Sequence, residues 1–190
     1  MDKEIRKFNN SIKRTNEQSR MVEGLAVVFN SESQDLGFRE VIEPTAIDET
    51  TIANSDIFAL LNHDENRGIL ARSRYGEGSL TLRLDNDGLH YSFIAPNTAL
   101  GDELLSYLSR GEITSSSFAF TIAEGGDKWE RDINGNLNRT ITKIDRLFDV
   151  SPVFEPAYLA TSAARRCKSY DDVQKTLKDL DQWKEKINSL

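Results

Sequence analysis

The chain has 190 residues, of which 38% are hydrophobic, so it is long enough for one domain with a sizeable core but too short for two. Acidic residues outnumber basic ones by 31 to 24, and the net charge of −7 argues against a nucleic-acid-binding surface, which needs an excess of Lys and Arg. The single cysteine, Cys167, excludes an internal disulfide framework and suits a reducing compartment such as bacterial cytoplasm. No stretch approaches the roughly 18 apolar residues of a membrane span, so no membrane association is expected.

The first 20 residues carry six basic side chains against three acidic ones and few apolar side chains. This composition predicts a basic N-terminal arm or a loosely held edge strand, and the edge strand is the simpler interpretation. Residues 21–29 (MVEGLAVVF) are rich in branched and aromatic side chains and predict a buried strand. Residues 38–42 predict a second extended segment, after which Thr45 is a candidate cap for a short helix that ends at Ile52.

The middle of the chain alternates between apolar and polar positions. Residues 79–84 have leucines at every second position, and a turn separates them from a second alternating run over residues 89–93, which together predict a β-hairpin. A helix is expected to follow, with Thr98 as its cap and Gly111 just beyond its end.

Two more strands are predicted, over residues 113–122 and, after a Gly-rich loop, over residues 139–153. From Ser169 onward, apolar residues recur at helical spacing, which predicts an amphipathic helix packed on the body or on a partner. The count is about seven strands and two or three helices, so the predicted class is an α+β domain with an antiparallel, barrel-like sheet.

Only two histidines occur in the chain. His63 follows the apolar run over residues 57–62 and begins a polar turn, where a rigid element can present an imidazole to a cleft. An imidazole accepts and returns a proton near neutral pH, so this position suits a general base, although a surface histidine in a loop fits the same pattern. His90 lies within the second strand of the hairpin and is interpreted as a solvent-facing side chain.

Three serines, Ser115, Ser116 and Ser117, precede a Phe-Ala-Phe triplet on a predicted strand. A serine hydroxyl is a poor nucleophile until a base within about 3 Å removes its proton. Alternation along the strand places Ser115 and Ser117 on one face and Ser116 on the other. On its own this pattern is weak, because serines at a strand entry usually satisfy turn hydrogen bonds.

Other chemistries find little support in the sequence. The histidines, the cysteine and the acidic residues do not have the spacing of a zinc site, and the glycines do not form a phosphate loop, so neither a metal nor an organic cofactor is predicted. An esterase with a Gly-x-Ser-x-Gly nucleophile elbow is disfavoured as well, since the sequence around Ser116 lacks both glycines.

Seven segments in a fixed order are more informative than any one motif. They are GLAVVFN, FREVIEPTAI, LLNHDENRGILAR, SLTLRLDNDGLHYSF, GDELLSYLSRGEI, SSSFAF and LFDVSPVFEPAYLATSAARR. Over residues 21–166 they resemble the prohead protease family of tailed bacteriophages. Members of that family have a histidine in an Asn-His-Asp-like context, a serine before an aromatic-small-Phe triplet, and an acidic-Val-Ser segment.

This resemblance implies that His63 is the base and that Ser117 is the nucleophile, with Ser116 as the alternative. It also implies that Asp149, at the position where relatives more commonly have Glu, orients the imidazole and stabilises its charged form.

Two other carboxylates, Asp64 and Glu155, are alternatives for the orienting role. Arg139 lies in a segment where relatives often keep an Arg, so it either contributes to the oxyanion hole or flanks a strand.

For the fold, the resemblance implies an assemblin-like domain, an α+β fold with an antiparallel seven-stranded β-barrel-like core and surrounding helices. Herpesvirus assemblins use a second histidine after the serine as their third residue, and this sequence has none there. The expected organisation is an N-terminal arm or edge strand over residues 1–20, a prohead protease domain over residues 21–166 and a C-terminal amphipathic helix over residues 167–190.

For function, the resemblance implies a serine endopeptidase that forms an acyl-enzyme and cleaves the capsid scaffold, the coat protein and itself. The expected partners are the major capsid protein with its scaffold segment and further copies of the chain, but neither nucleic acid nor a membrane. The expected location is the assembling prohead in the bacterial host cytoplasm. A catalytically silent capsid-assembly or scaffold-binding module is the alternative.

Overall fold

The computed structural model describes residues 2–154 with the exception of residues 10, 17 and 35. The predicted C-terminal helix over residues 167–190 and the alternative carboxylate Glu155 lie outside the described residues.

The described part of the chain is mostly β-structure with few helices, as the α+β class predicts. Its strands are β1 (Glu4–Phe8), β2 (Ile12–Arg14), β3 (Met21–Val28), β4 (Arg39–Ile42), β5 (Asp56–Ala59), β6 (Ala71–Arg74), β7 (Glu77–Gly78), β8 (Thr81–Leu84), β9 (Gly88–Ile94), β10 (Ile113–Ile122), β11 (Asp127–Arg131), β12 (Leu137–Ile141) and β13 (Ile144–Phe154). Its helices are α1 (Glu49–Ala53) and α2 (Ala99–Arg110), with short 3₁₀ turns at Pro44–Ala46 and Glu65–Arg67.

The strands form three sheets. One has six strands in the order β1-β10-β13-β5-β6-β7, one has four in the order β2-β3-β9-β8, and one has three in the order β11-β12-β4. Two pairs, β4 with β12 and β5 with β13, are parallel. No closed barrel is found among the described strands, so the seven-stranded barrel-like core is not confirmed.

Elements with strong local signals form where the sequence predicts them. The strand from Met21, the hairpin of β8 and β9, and the strand β10 are all confirmed. For α2 both ends are confirmed: the Thr98 hydroxyl accepts a hydrogen bond from the Gly101 amide at 3.3 Å, and Gly111 adopts the left-handed conformation at φ 71°. Capping side chains and a terminal glycine fix helix ends through short-range contacts, so the sequence alone suffices here.

The predicted cap Thr45 is wrong. Asp48 caps α1 instead, because its carboxylate accepts a hydrogen bond from the Thr51 amide at 2.8 Å. The Thr51 hydroxyl in turn accepts from the Asp48 amide at 3.4 Å, which completes a capping box.

The single strand predicted over residues 139–153 is also wrong. The chain leaves the three-stranded sheet after Ile141 and enters the six-stranded sheet at Ile144. Between them, the amides of Thr142 and Lys143 both donate to the Gly126 carbonyl, at 2.8 Å and 3.0 Å. This turn depends on a distant residue, and the apolar alternation of the segment does not reveal it.

The N-terminal strand β1 lies at the edge of the six-stranded sheet and pairs antiparallel with β10 along its whole length. The main core lies between this sheet and the four-stranded sheet, since strands β1, β10 and β13 all contact β3. Its largest buried side chains include Phe118 and Phe120, whose rings stack 4.7 Å apart, and α2 adds Leu104 and Leu105. Burial of this apolar surface is the main favourable term for the fold.

A buried cluster of charges ties β1 to the three-stranded sheet. The Arg139 guanidinium, whose side chain is 1% exposed, donates to Glu4 at 2.7 and 2.9 Å and to Asp127 at 2.8 Å. Glu40 accepts from Arg139 at 3.1 Å and from Arg6 at 2.5 and 2.8 Å, and Arg6 also reaches Glu4 at 2.6 Å. Every charge has an opposite partner, which offsets the cost of removing it from water.

We expect Arg139→Gln to destabilise the protein by about 3–5 kcal/mol, because it leaves Arg6 as the one cation among the three carboxylates of the cluster, Glu4, Glu40 and Asp127. Urea unfolding followed by circular dichroism measures this change. The matched control is Arg83→Gln, which removes an exposed ion pair with Asp85 and is expected to change stability by less than about 0.5 kcal/mol. Equal effects of the two substitutions would contradict a structural role for the buried cluster.

Candidate active site

The loop after β5 positions His63. Leu60 and Leu61 are buried and anchor the end of the strand, and the Asn62 amide donates to the Pro152 carbonyl of β13 at 2.9 Å. Asn62 and His63 then both adopt left-handed backbone conformations, at φ 57° and 59°. Such conformations cost energy for residues other than glycine, and they often occur where a functional side chain must take a fixed direction.

Strand β10 positions Ser117. In the sheet, Ser117 lies opposite Lys7 of β1 on one side and opposite Ser151 of β13 on the other. The residue is only 2% exposed. The preceding Ser116 belongs to the opposite face, where its hydroxyl is 2.8 Å from that of Tyr91.

The structure brings together the three side chains named from the sequence. The distance from His63 Nε2 to Ser117 Oγ is 2.6 Å, and the distance from His63 Nδ1 to Asp149 Oδ1 is 2.5 Å. His63 therefore bridges residues that lie on neighbouring strands, 54 and 86 positions further along the chain. The Ser117 hydroxyl has a second acceptor as well, the Arg6 carbonyl of β1 at 2.8 Å.

Asp149 is buried on β13 and held by further contacts. The Ser151 hydroxyl donates to its Oδ1 at 2.7 Å, and the Lys3 ammonium lies 3.4 Å from its Oδ2, which makes no hydrogen bond within the described residues. Burial alone would raise the pKa of this carboxyl group. The contacts with His63, Ser151 and Lys3 outweigh burial and hold the pKa of Asp149 below its ordinary value.

An ionised Asp149 determines the tautomer of His63. A carboxylate only accepts hydrogen bonds, so the Nδ1 atom facing it carries the ring hydrogen. The lone pair of Nε2 then faces the Ser117 hydroxyl, which is the arrangement that a proton transfer from serine to imidazole requires.

The alternative site residues have other contacts. Asp64 caps the 3₁₀ turn at Glu65–Arg67 by accepting from the Asn66 amide at 3.0 Å. Arg139 lies on β12 and is enclosed by the carboxylates of the buried cluster. This position fits a structural role better than the predicted alternative, a contribution to the oxyanion hole. His90, expected to face solvent, is half-buried, with Nε2 at 3.0 Å from Asp85 Oδ2.

Sequence reasoning missed two contacts of the site. Ser151 follows Asp149 by two positions on a strand, so alternation places both side chains on one face, and this signal was available. The approach of Lys3 to Asp149 has no such signal, because it depends on how the N-terminal strand pairs with β10.

Within residues 2–154, as far as they are described, no group of three or more His, Cys, Asp or Glu side chains is placed to hold a metal ion. In the same part of the chain, every helix is too short or too polar to cross a membrane.

The sequence profile of the caudovirus prohead serine proteases matches residues 7–176 of the chain. The chain belongs to this family. Among solved structures, the chain is similar to the capsid assembly protease gp21 of bacteriophage T4, with a TM-score of 0.50 and 9% sequence identity. The match covers 81% of this chain and 98% of the T4 protein, and at this identity it concerns the fold alone. No curated protein matches the chain significantly.

The lowered pKa of Asp149 predicts a pH-dependent contribution to stability. The pKa of Asp149 in the folded state lies below its unfolded value of 3.8. The ionised carboxylate therefore stabilises the fold above pH 3.8, and this stabilisation is lost as the pH falls through the folded-state pKa. We therefore expect the stability difference between the wild type and Asp149→Asn to decrease in acid. Urea unfolding at several pH values from neutral to about 3 measures it, and a difference that grows in acid would contradict the assignment.

Proposed function

We propose that this prohead protease is a serine endopeptidase with Ser117 as nucleophile, His63 as general base and Asp149 as the residue that orients His63. The observation that carries the proposal is the pair of short contacts from one imidazole to a serine hydroxyl and to a buried carboxylate. That pair occurs in a member of a serine protease family.

The proposed reaction begins when Ser117 Oγ attacks the scissile carbonyl carbon while its proton moves to His63 Nε2. The imidazolium that results is stabilised by Asp149 through Nδ1. Collapse of the tetrahedral intermediate breaks the C–N bond, and the proton on Nε2 passes to the departing amine. A water molecule then gives a proton to Nε2 as it attacks the acyl carbon. The C–Oγ bond breaks as Nε2 returns that proton to Ser117 Oγ, which releases the acid and restores the enzyme.

We infer the substrates from the family and from the structural neighbour. The family is described as prohead proteases, and the T4 protein as a capsid assembly protease. The substrates that fit are the scaffold segment of the major capsid protein and the protease itself, inside the assembling prohead of the bacterial host. The contacts of His63 with Ser117 and Asp149 favour a protease over a catalytically silent assembly module, because such a module does not need a base next to a serine hydroxyl.

We expect Ser117→Ala to abolish cleavage of the co-expressed coat protein and of the protease itself, while circular dichroism and thermal unfolding show a folded protein. Ser116→Ala is the matched control. It also removes one serine hydroxyl from β10, but on the opposite face of the strand, so this variant should retain cleavage. Gel electrophoresis and mass spectrometry of the products measure both. Full cleavage by the Ser117 variant would remove this residue from the proposed role.

The third residue has a graded test. We expect Asp149→Asn to lower kcat by about 10⁴-fold, the size of loss observed when the orienting carboxylate of a serine protease is replaced, because His63 then presents the wrong tautomer. Ser151→Ala removes one hydrogen bond to that carboxylate and should lower kcat only about tenfold. Kinetics with a peptide substrate measure both values. A kcat within about twofold of wild type in the Asn variant would assign the orienting role elsewhere.

A further inference from the structure

The hydroxyl of Ser117 is covered by the N-terminal strand. Its oxygen lies between His63 Nε2 at 2.6 Å and the Arg6 carbonyl oxygen at 2.8 Å, and the residue is 2% exposed. A substrate must bring a carbonyl carbon to within about 3–3.5 Å of the same oxygen. A backbone carbonyl on an extended strand already occupies that place, so substrate and β1 compete for it.

Of the two neighbours of β10, only β1 is able to leave without dismantling the site. β13 carries Asp149 and Ser151, so its pairing with β10 is part of the geometry. β1 lies at the edge of the sheet and has β10 as its neighbour there. Edge strands are positions where one extended chain can replace another through the same main-chain hydrogen bonds.

The buried charges permit this exchange. β1 brings Glu4 and Arg6 to the cluster, one acid and one base, so its departure removes no net charge. Arg139 would keep its contacts with Glu40 and Asp127. At the active site, Asp149 would lose Lys3 but keep the hydrogen bonds of His63 and Ser151. Native proteins open locally at free energies that range from near zero up to that of global unfolding, so an edge strand can leave while the rest of the fold stays intact.

We propose that β1 is an autoinhibitory strand that occupies the binding site of the scissile peptide, and that an extended substrate pairs with β10 in its place. The proposal rests on the assignment of Ser117 as nucleophile. Displacement of β1 also removes the second acceptor of the Ser117 proton, which leaves His63 Nε2 to receive it.

The vacated site favours a particular substrate chemistry. Without β1, Arg139 faces the two acids Glu40 and Asp127, so the site carries one excess negative charge. With β1 in place, Arg6 supplies both the carbonyl beside Ser117 and the guanidinium that donates to Glu40. The substrate class that fits is an extended peptide with a basic residue immediately before the scissile bond.

A reversible crosslink tests the exchange. Ile5 of β1 and Ala119 of β10 lie directly opposite each other, so Ile5→Cys with Ala119→Cys in a Cys167→Ser background can form a disulfide. We expect the oxidised protein to lose at least tenfold in coat-protein cleavage and in labelling by a fluorophosphonate, and reduction to restore both. The single Ile5→Cys variant, treated with the same oxidant, is the matched control and should not respond.

The outcomes separate this inference from the proposed function. Activity that is equal in the oxidised and reduced double variant overturns the inference and leaves the protease assignment intact. Protein that neither cleaves nor labels at Ser117, both as the wild type and with β1 weakened by Ile5→Ser, overturns the assignment itself.

A second variant covers the case in which the double variant fails to fold. Ile5→Ser weakens the half-buried face of β1 and replaces no residue of the triad or of the charge cluster. We expect it to raise the cleavage rate about fivefold by populating the open form. Ile12→Ser is the matched control, a similar loss on the neighbouring strand β2, and should give no increase. A rate that falls in the Ile5 variant while the protein stays folded would show that β1 supports catalysis and would overturn the inference.

The substrate preference has its own test in the Ile5→Ser variant. The synthetic peptide DKEIRKFN, which is residues 2–9, should compete with cleavage at millimolar concentration. The same peptide with Glu in place of Arg should compete at least fivefold less well. Equal competition by both peptides would contradict the basic preference, and no competition by either would contradict binding in the place of β1.

Discussion

The imidazole of His63 bridges the two functional side chains of the central strands, the Ser117 hydroxyl on β10 and the Asp149 carboxylate on β13. β10 and β13 pair antiparallel in a register that places Asp149 opposite Ala119, two positions from Ser117 on the same face. The side chains of Ser117 and Asp149 therefore point to a common side, and a ring presented by the loop after β5 reaches both. A one-residue slip of the register would turn one of the two side chains to the opposite face and break the connection.

The rest of the fold keeps this arrangement in place. β5 pairs parallel to β13 at Phe58, next to Asp149, so the strand that leads to His63 and the strand that carries the carboxylate share one sheet. The Asn62 amide ties the loop to β13 a second time. On the other side of β10, the ion pair of Arg139 with Glu4 holds β1 beside Ser117. The same strand thus stabilises the fold and covers the Ser117 hydroxyl.

Much of the candidate site was predictable, because its residues carry motifs. A histidine after an apolar run, serines before Phe118 and an acidic-Val-Ser segment identified three side chains that the structure brings together. Elements with local signals, such as α2 and the β8–β9 hairpin, were predictable too. What escaped prediction depends on contacts between distant segments: the break between Ile141 and Ile144, the parallel pairs, and the approach of Lys3 to Asp149. Periodicity describes which face of a strand is buried, and it does not say which strand lies next to it.

The central claim, a serine activated by His63, is tested most directly by covalent labelling with a fluorophosphonate followed by peptide mapping. The account predicts an adduct on Ser117 that forms on the wild type and is lost from His63→Ala, since an unactivated hydroxyl reacts slowly. An adduct on a different residue, or labelling of Ser117 at an unchanged rate in the His63 variant, would contradict it.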